Sequence, residues 1–272
     1  MPDETDPPID SPPFRGRRSA REKKIAPPAA TGDSGVPGAA REDASLLEAA
    51  LRVLRESESP DRRGVAGARG LRDEQDRLAE WARLQGCLIP DGTLEALPVL
   101  SNRTSEHEVR LRSEDGRVVK RTWPGFYGQV PEWRGGEVDR VSATPAQYLA
   151  RQRLQNDVFG SDIRLEGVNI SDGPSMVIGE SGGQPAFVVS QAFIDAADDR
   201  FPPPSETQID AFLRDHGFEP IPGSYFGWVR RADGVVVLDA RGDNFILAAD
   251  GVVPIDLQMA QIAELAGATG EA

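Results

Sequence analysis

Cysteine, histidine and aromatic residues are scarce in this chain, and each scarcity removes a class of function. Among 272 residues there is one cysteine, Cys87, and there are two histidines, His107 and His216. No intrachain disulfide can form, which fits a reducing cytoplasm. Zinc centres and Ser-His or Cys-His nucleophile schemes have little material. Aromatic content is only 6% and hydrophobic content 39%, so a compact core is expected over part of the length but not all of it. No apolar run approaches the ~20 residues that a membrane helix needs. The opening MPDETDPPID is acidic and lacks the charged-then-apolar order of a signal peptide. Positive charge is in deficit, with a net charge of −13 and a pI near 4.7. General nucleic-acid binding needs a basic surface and is not expected. An ATP site needs only one lysine and a metal, and stays open.

What the chain does have is loop-forming residues, with 28 glycines and 22 prolines. Residues 1–40 are poor in apolar side chains and are expected to be a disordered tail. Inside that tail Arg15, Arg17, Arg18, Arg21, Lys23 and Lys24 follow an acidic tip. They form either a solvated linker or a patch for nucleic acid or an acidic partner. Residues 41–90 read as a helical prefix. Leu47, Ala50, Leu51 and Leu54 recur at helical spacing over 43–58, with Asp43 as cap. Leu71, Leu78, Trp81, Ala82 and Gln85 share a face of a second helix over 71–85, ended by Gly86.

From Leu88 the period changes to strands. Glu95–Leu100 is a candidate strand, and Val109 and Leu111 alternate with arginines before Glu114-Asp115-Gly116 turns the chain into Val118-Val119-Lys120. Trp123 to Gly136 reads as a long aromatic and Gly-rich connection. Thr144 caps a helix to about Phe159, with Pro145 at its first position and Gln147 completing a capping box. Ile163–Ile170, Ser175–Ile178 and Phe187–Ser190 read as strands. Ser205 and Gln208 form a second capping box, and the helix they start ends at Gly217, where the dipole accounts for His216.

The densest signal lies near the C-terminus, in VVVLDARGDNFILAADGVVPIDLQM, Val235 to Met259. Val235–Leu238, Phe245–Ala248 and Val252–Ile255 read as strands, and Asp250-Gly251 is a hairpin signal between the last two. Polar residues stand at the ends of this apolar ribbon: Asp239, Asn244 and Asp256. A hairpin brings Asn244 beside Asp256, with Asp239 one tight loop away. Two carboxylates and an amide suit Mg²⁺, a hard cation that takes oxygen ligands and is commonly shared with phosphates.

Asp239-Ala-Arg241-Gly-Asp243-Asn244, then eleven residues, then Asp256, resembles the catalytic core of the protein-kinase-like superfamily. The stretch from about Ser105 to Met259 is similar to the kinase-like domain of bacterial and phage polyvalent proteins. The words that carry the likeness are EHEVRL, GRVVKRT, YLARQRLQNDVFGSDIRLEGV, FLRDHGFEPIPG, DARGDNFIL and GVVPIDLQ. The resemblance implies an α+β, protein-kinase-like bilobal fold. Its β-rich N-lobe would span 91–195 and its truncated C-lobe 196–272, since only sixteen residues follow Asp256. It implies Asp239 as catalytic base, Arg241 on the transferring phosphate, Lys120 on the ATP phosphates, and Asn244 and Asp256 on Mg²⁺. It places Gln191 to Ile194 at the hinge that meets adenine, with Val189 and Phe193 beside its faces. It also implies a phage or mobile-element setting.

The chain departs from the superfamily in two places. No G-x-G-x-x-G precedes the hairpin; the matching turn runs from Ser101 to Ser105 and Glu106, whose backbone N–H groups are the candidates for phosphate. The helix from Thr144 carries no glutamate to pair with Lys120, which leaves Gln147, Gln155 and Asn156 as neutral partners. The expected activity is an ATP- and Mg²⁺-dependent phosphotransferase acting on a protein hydroxyl. A pseudokinase-type interaction module and a small-molecule kinase are the alternatives.

Overall fold

The computed structural model describes residues 39–56, 68–101, 106–171, 183–197 and 203–267, with side chains from 46 and 70 onward in the first two helices. All of them belong to one compact unit, Pro37–Ala272. The basic cluster of the expected tail, Ser105 and the strand over Ser175–Ile178 lie outside the described residues, whereas Asp43 falls inside the first helix, Ala39–Arg55, and so is not its cap.

The architecture is mixed α+β. Helices α1 (Ala39–Arg55), α2 (Ala68–Gln85) and short α3 (Asp91–Glu95) come first. Strands β1 (Val99–Ser101), β2 (His107–Arg112), β3 (Arg117–Thr122), β4 (Gln129–Arg134) and β5 (Glu137–Ser142) precede α4 (Pro145–Phe159). Then come β6 (Arg164–Ile170), β7 (Pro185–Ala192) and α5 (Glu206–Asp215). The C-terminal part holds β8 (Glu219–Pro220), β9 (Trp228–Arg230), β10 (Val235–Leu238), β11 (Phe245–Ala248), β12 (Gly251–Pro254) and β13 (Gln258–Gln261). Among the described residues no helix is long and apolar enough to cross a membrane.

Two sheets carry the fold. The first is five-stranded in the order β1-β2-β3-β7-β6, and the second four-stranded in the order β13-β10-β9-β8. Hairpins β4-β5 and β11-β12 stand apart from both. The apolar stripe of α1 and the Leu78, Trp81 and Ala82 face of α2 bury against Leu165, Phe187 and Val189 of the first sheet. The helical prefix therefore shares one core with that sheet. A second core joins Ile209 and Leu213 of α5 to Val235, Val237 and Met259 of the second sheet. Helix α4 belongs to both, with Tyr148 and Leu149 in the first core and Leu154, Val158 and Phe159 against the second. That explains why α4 is not one-sided in sequence: it buries different faces against two separate cores.

Both capping boxes form as read. The Thr144 and Ser205 hydroxyls accept from the Gln147 and Gln208 N–H groups, and each glutamine side chain reaches back. Gly86 and Gly160 close their helices in the left-handed region. Two segments differ from expectation. Glu95–Leu100 is not one strand: α3 ends at Glu95 and β1 starts only at Val99. The connection from Trp123 to Gly136 contains a strand of the β4-β5 hairpin, turned by Gly135 and Gly136, both with positive φ. Pro131 within β4 hid the strand, but a two-stranded ribbon has free edges where a missing N–H costs nothing.

Candidate functional site

The chain segment after β10 leaves the four-stranded sheet, crosses as Asp239 to Asn244, and enters the β11-β12 hairpin. Strand β13 then returns to pair with β10, Leu238 opposite Gln258. This register brings Asp239, just past the end of β10, close to the residues just ahead of β13. The hairpin does the same for Asn244. Phe245 pairs with Pro254, and the Ile255 N–H donates to the Asn244 carbonyl at 2.9 Å. The turn residues are Ala249 and Asp250, one place earlier than the Asp-Gly pair suggested.

Asp239 is the backbone outlier of this loop, with φ of +60°. Such a conformation is costly for a residue with a side chain. It is held by its own carbonyl, which accepts from the Arg241 N–H at 2.8 Å and from Asn244 Nδ2 at 2.7 Å. The Asp239 carboxylate is engaged on both oxygens. Oδ2 accepts from Asn244 Nδ2 at 3.0 Å. Oδ1 is 2.9 Å from Arg241 Nε and 3.6 Å from the Arg140 guanidinium, which arrives from the β4-β5 hairpin.

Across the cleft, Lys120 stands on β3 and donates to the Ile255 carbonyl. Burial pushes its ammonium below the usual lysine range; Asp256 and Glu106 pull it up and Arg151 pushes it down. Asp256 lies 3.8 Å from His107 Nδ1 and 3.9 Å from Arg151. Its burial alone would raise its pKa. The interaction with the nearby His107 imidazole, then the charges of Lys120 and Arg151, hold it well below the usual carboxylate range.

Lys120, His107, Asp239, Arg241, Asn244 and Asp256 line a cavity of about 690 Å³, together with Glu106, Gln191, Phe193, Val109, Val118 and Ile246. Of the residues singled out in sequence, the structure brings together Lys120, Glu106, Gln191, Phe193, Asp239, Arg241, Asn244 and Asp256. Gln155 is not on the wall. Its amide donates to Ser161 Oγ and the Pro254 carbonyl, so it anchors β12. Asn156 bonds the backbone of Ile163, and Gln147 caps its helix. None of the three helix amides therefore orients Lys120. Val189 is buried in the first core instead of lining the cavity. The Phe193 N–H donates to the Gly116 carbonyl at 2.8 Å and is not free for a purine edge.

Glu106 belongs to a different arrangement from the one expected of a phosphate turn. Both its oxygens accept from the buried Arg151 guanidinium. His107 Nε2 sits 3.2 Å from Glu106 and 3.0 Å from the Tyr148 hydroxyl. Glu106, His107 and Asp256 approach closely enough to suggest metal ligation. Arg151 already occupies the Glu106 carboxylate, so the cluster is better described as an ion-pair network. Asn244 and Asp256 line the same cavity, and the Asn244 amide nitrogen is committed to Asp239, so of its amide atoms the oxygen is the one left as a candidate ligand for a hard cation.

Sequence reasoning did not find Arg151, His107, Tyr148, Arg140 or the apolar residues Val109, Val118 and Ile246. A trace of the network was readable, since Tyr148, Arg151 and Gln155 follow one another at helical spacing on a well-capped helix. Compared with protein families, with characterised proteins and with solved structures, the chain matches none.

Proposed function

We propose that this chain is a kinase-like phosphotransferase that moves the γ-phosphoryl group of ATP, with Mg²⁺, to a protein hydroxyl. One observation carries the reading. A single cleft has Lys120 on one wall and Asp239, Arg241, Asn244 and Asp256 on the other. Its apolar lining of Val109, Val118 and Ile246 suits a flat base, and its polar end suits phosphates. A lysine on the third strand of a β-rich lobe, with a helix following in the chain, is also what the protein-kinase resemblance implies.

In this reading Lys120 holds the ATP phosphates. Asn244 and Asp256 would hold the magnesium, which would supply positive charge to the phosphate oxygens. The acceptor oxygen forms a bond to the γ-phosphorus as the bond from that phosphorus to the β,γ-bridging oxygen breaks. ADP leaves with that electron pair, and the hydroxyl proton passes to an Asp239 carboxylate oxygen. Arg241 meets the charge that spreads over the transferred group.

Thermal unfolding of the full chain with ATP, with and without Mg²⁺, tests the reading. A ligand that binds only the native state raises the midpoint. The expected result is a Mg²⁺-dependent rise that disappears in Asp256→Asn. Asp239→Ala is expected to keep that rise and lose phosphoryl transfer; retained transfer would sink the assignment. An interaction module without transfer is the second reading. Lys120 bonded to a main-chain carbonyl and Asp239 with both oxygens engaged favour it. No shift at millimolar ATP would select it.

A further inference from the structure

The β4-β5 hairpin has no part in either main sheet. It is nonetheless firmly placed. Trp133 and Val138 pack against Val229, Val236, Leu238 and Ile262 of the second sheet's outer core. Val138 and Arg140 are two apart on β5 and so share a face. With Val138 packed against the cluster that contains Leu238, Arg140 on the same face comes within 3.6 Å of the next residue, Asp239.

Two guanidinium groups thus meet one carboxylate oxygen. Arg241 Nε is 2.9 Å from Asp239 Oδ1 and Arg140 is 3.6 Å away. Asn244 takes the other oxygen at 3.0 Å. An acceptor hydroxyl that approaches Oδ1 competes with two guanidinium groups for the same atom, and Arg140, the farther one, is the one held more weakly. Both arginines are exposed and can swing without breaking the core. The charge that would draw them away is the one that develops on the transferring phosphoryl oxygens, beside the same carboxylate.

We propose that Arg140 is a further catalytic residue of this site: an arginine supplied in cis by the inserted hairpin, which moves from Asp239 to the transferring phosphoryl group. The inference rests on the phosphotransferase reading above. In the step written there, Arg140 forms and breaks no covalent bond. It releases Asp239 Oδ1 for the hydroxyl proton and shares with Arg241 the negative charge on the γ-phosphoryl oxygens. Arginine suits this role because its planar fork stays charged and can bind two oxygens together.

The test compares the full-length wild type, Arg140→Ala and Arg140→Lys, with Arg134→Ala on the same hairpin as control. Arg134 pairs with Glu132, away from Asp239. Binding is measured by calorimetry for MgADP and for MgADP with aluminium fluoride, which mimics the transferring phosphoryl. The expected result is that all four proteins bind MgADP within about threefold of one another, while Arg140→Ala loses about 100-fold of the extra affinity that fluoride brings. Arg140→Lys recovers part of that loss and Arg134→Ala keeps all of it. If the wild type fails to bind MgADP, the phosphotransferase reading itself falls. If the wild type binds both probes and Arg140→Ala matches it, or if fluoride adds nothing to wild-type binding, the role of Arg140 is overturned while the nucleotide site stands.

Discussion

The guanidinium of Arg151 closes on the carboxylate of Glu106, and both groups are buried. Arg151 comes from α4, whereas Glu106 comes from the head of β2. Asp256 and Lys120 complete the charge set around them. The helix whose amides the sequence offers as neutral partners of Lys120 brings a cation instead, and the carboxylate comes from Glu106, just ahead of β2.

Arg151→Met is expected to destabilise the fold by about 3–5 kcal/mol, because it leaves the Glu106 carboxylate buried without its partner. Adding Glu106→Gln in the same chain should recover part of that loss. Urea unfolding of the two variants and the wild type measures both values. An Arg151→Met midpoint equal to that of the wild type would show that the pair contributes nothing.

Gly128→Ala should disturb the same pair from the backbone side. Gly128 has φ of +71°, and a Cβ there would meet the Glu106 carboxylate at 2.0 Å. Both the conformation and the contact oppose alanine, and a loss of about 1–3 kcal/mol follows. Gly116→Ala provides the comparison. Its φ is +64° but the space beside it is open, so only the conformational part applies, about 1 kcal/mol. Unfolding midpoints should rank Gly128→Ala below Gly116→Ala.

Acid should weaken the first sheet through Glu166. Burial raises its pKa, but hydrogen bonds from Arg112 and Ser190 and the charges of Arg112 and Arg117 outweigh that and hold it below the usual value. A carboxylate with a depressed folded pKa contributes stability that is complete above its unfolded pKa of about 4.3 and is lost as pH falls through the folded value. Melting from about pH 6 to about pH 3 should therefore show a steeper loss for the wild type than for Glu166→Gln. Parallel curves would mean that Arg112 holds nothing of consequence.

Lys120→Met separates the two uses of the cleft. Burial already disfavours the ammonium, so removing it should leave a folded protein. If Lys120 holds phosphates, ATP affinity should fall at least about tenfold, or about 1.4 kcal/mol. Calorimetric titration of ATP reads this directly, and unchanged affinity would remove Lys120 from the nucleotide site.

The amino-acid sequence by itself determined the local elements. Thr144 and Ser205 start their helices because a hydroxyl followed three residues later by glutamine closes a capping box whatever the rest of the chain does. The β11-β12 hairpin was readable from its two apolar runs, and it placed Asn244 beside the residues leading to Asp256. Tertiary structure alone decided the rest, because those contacts join residues far apart in the chain. Glu106 and Arg151 stand forty-five positions apart, and no local period records their meeting. Arg140 reaches Asp239 only because Trp133 and Val138 bury against a sheet formed nearly a hundred residues later in the chain. Lys120 faces Ile255 because β3 and the β11-β12 hairpin meet across the cleft, so the partner of that cation depends on how the first sheet and this separate hairpin pack.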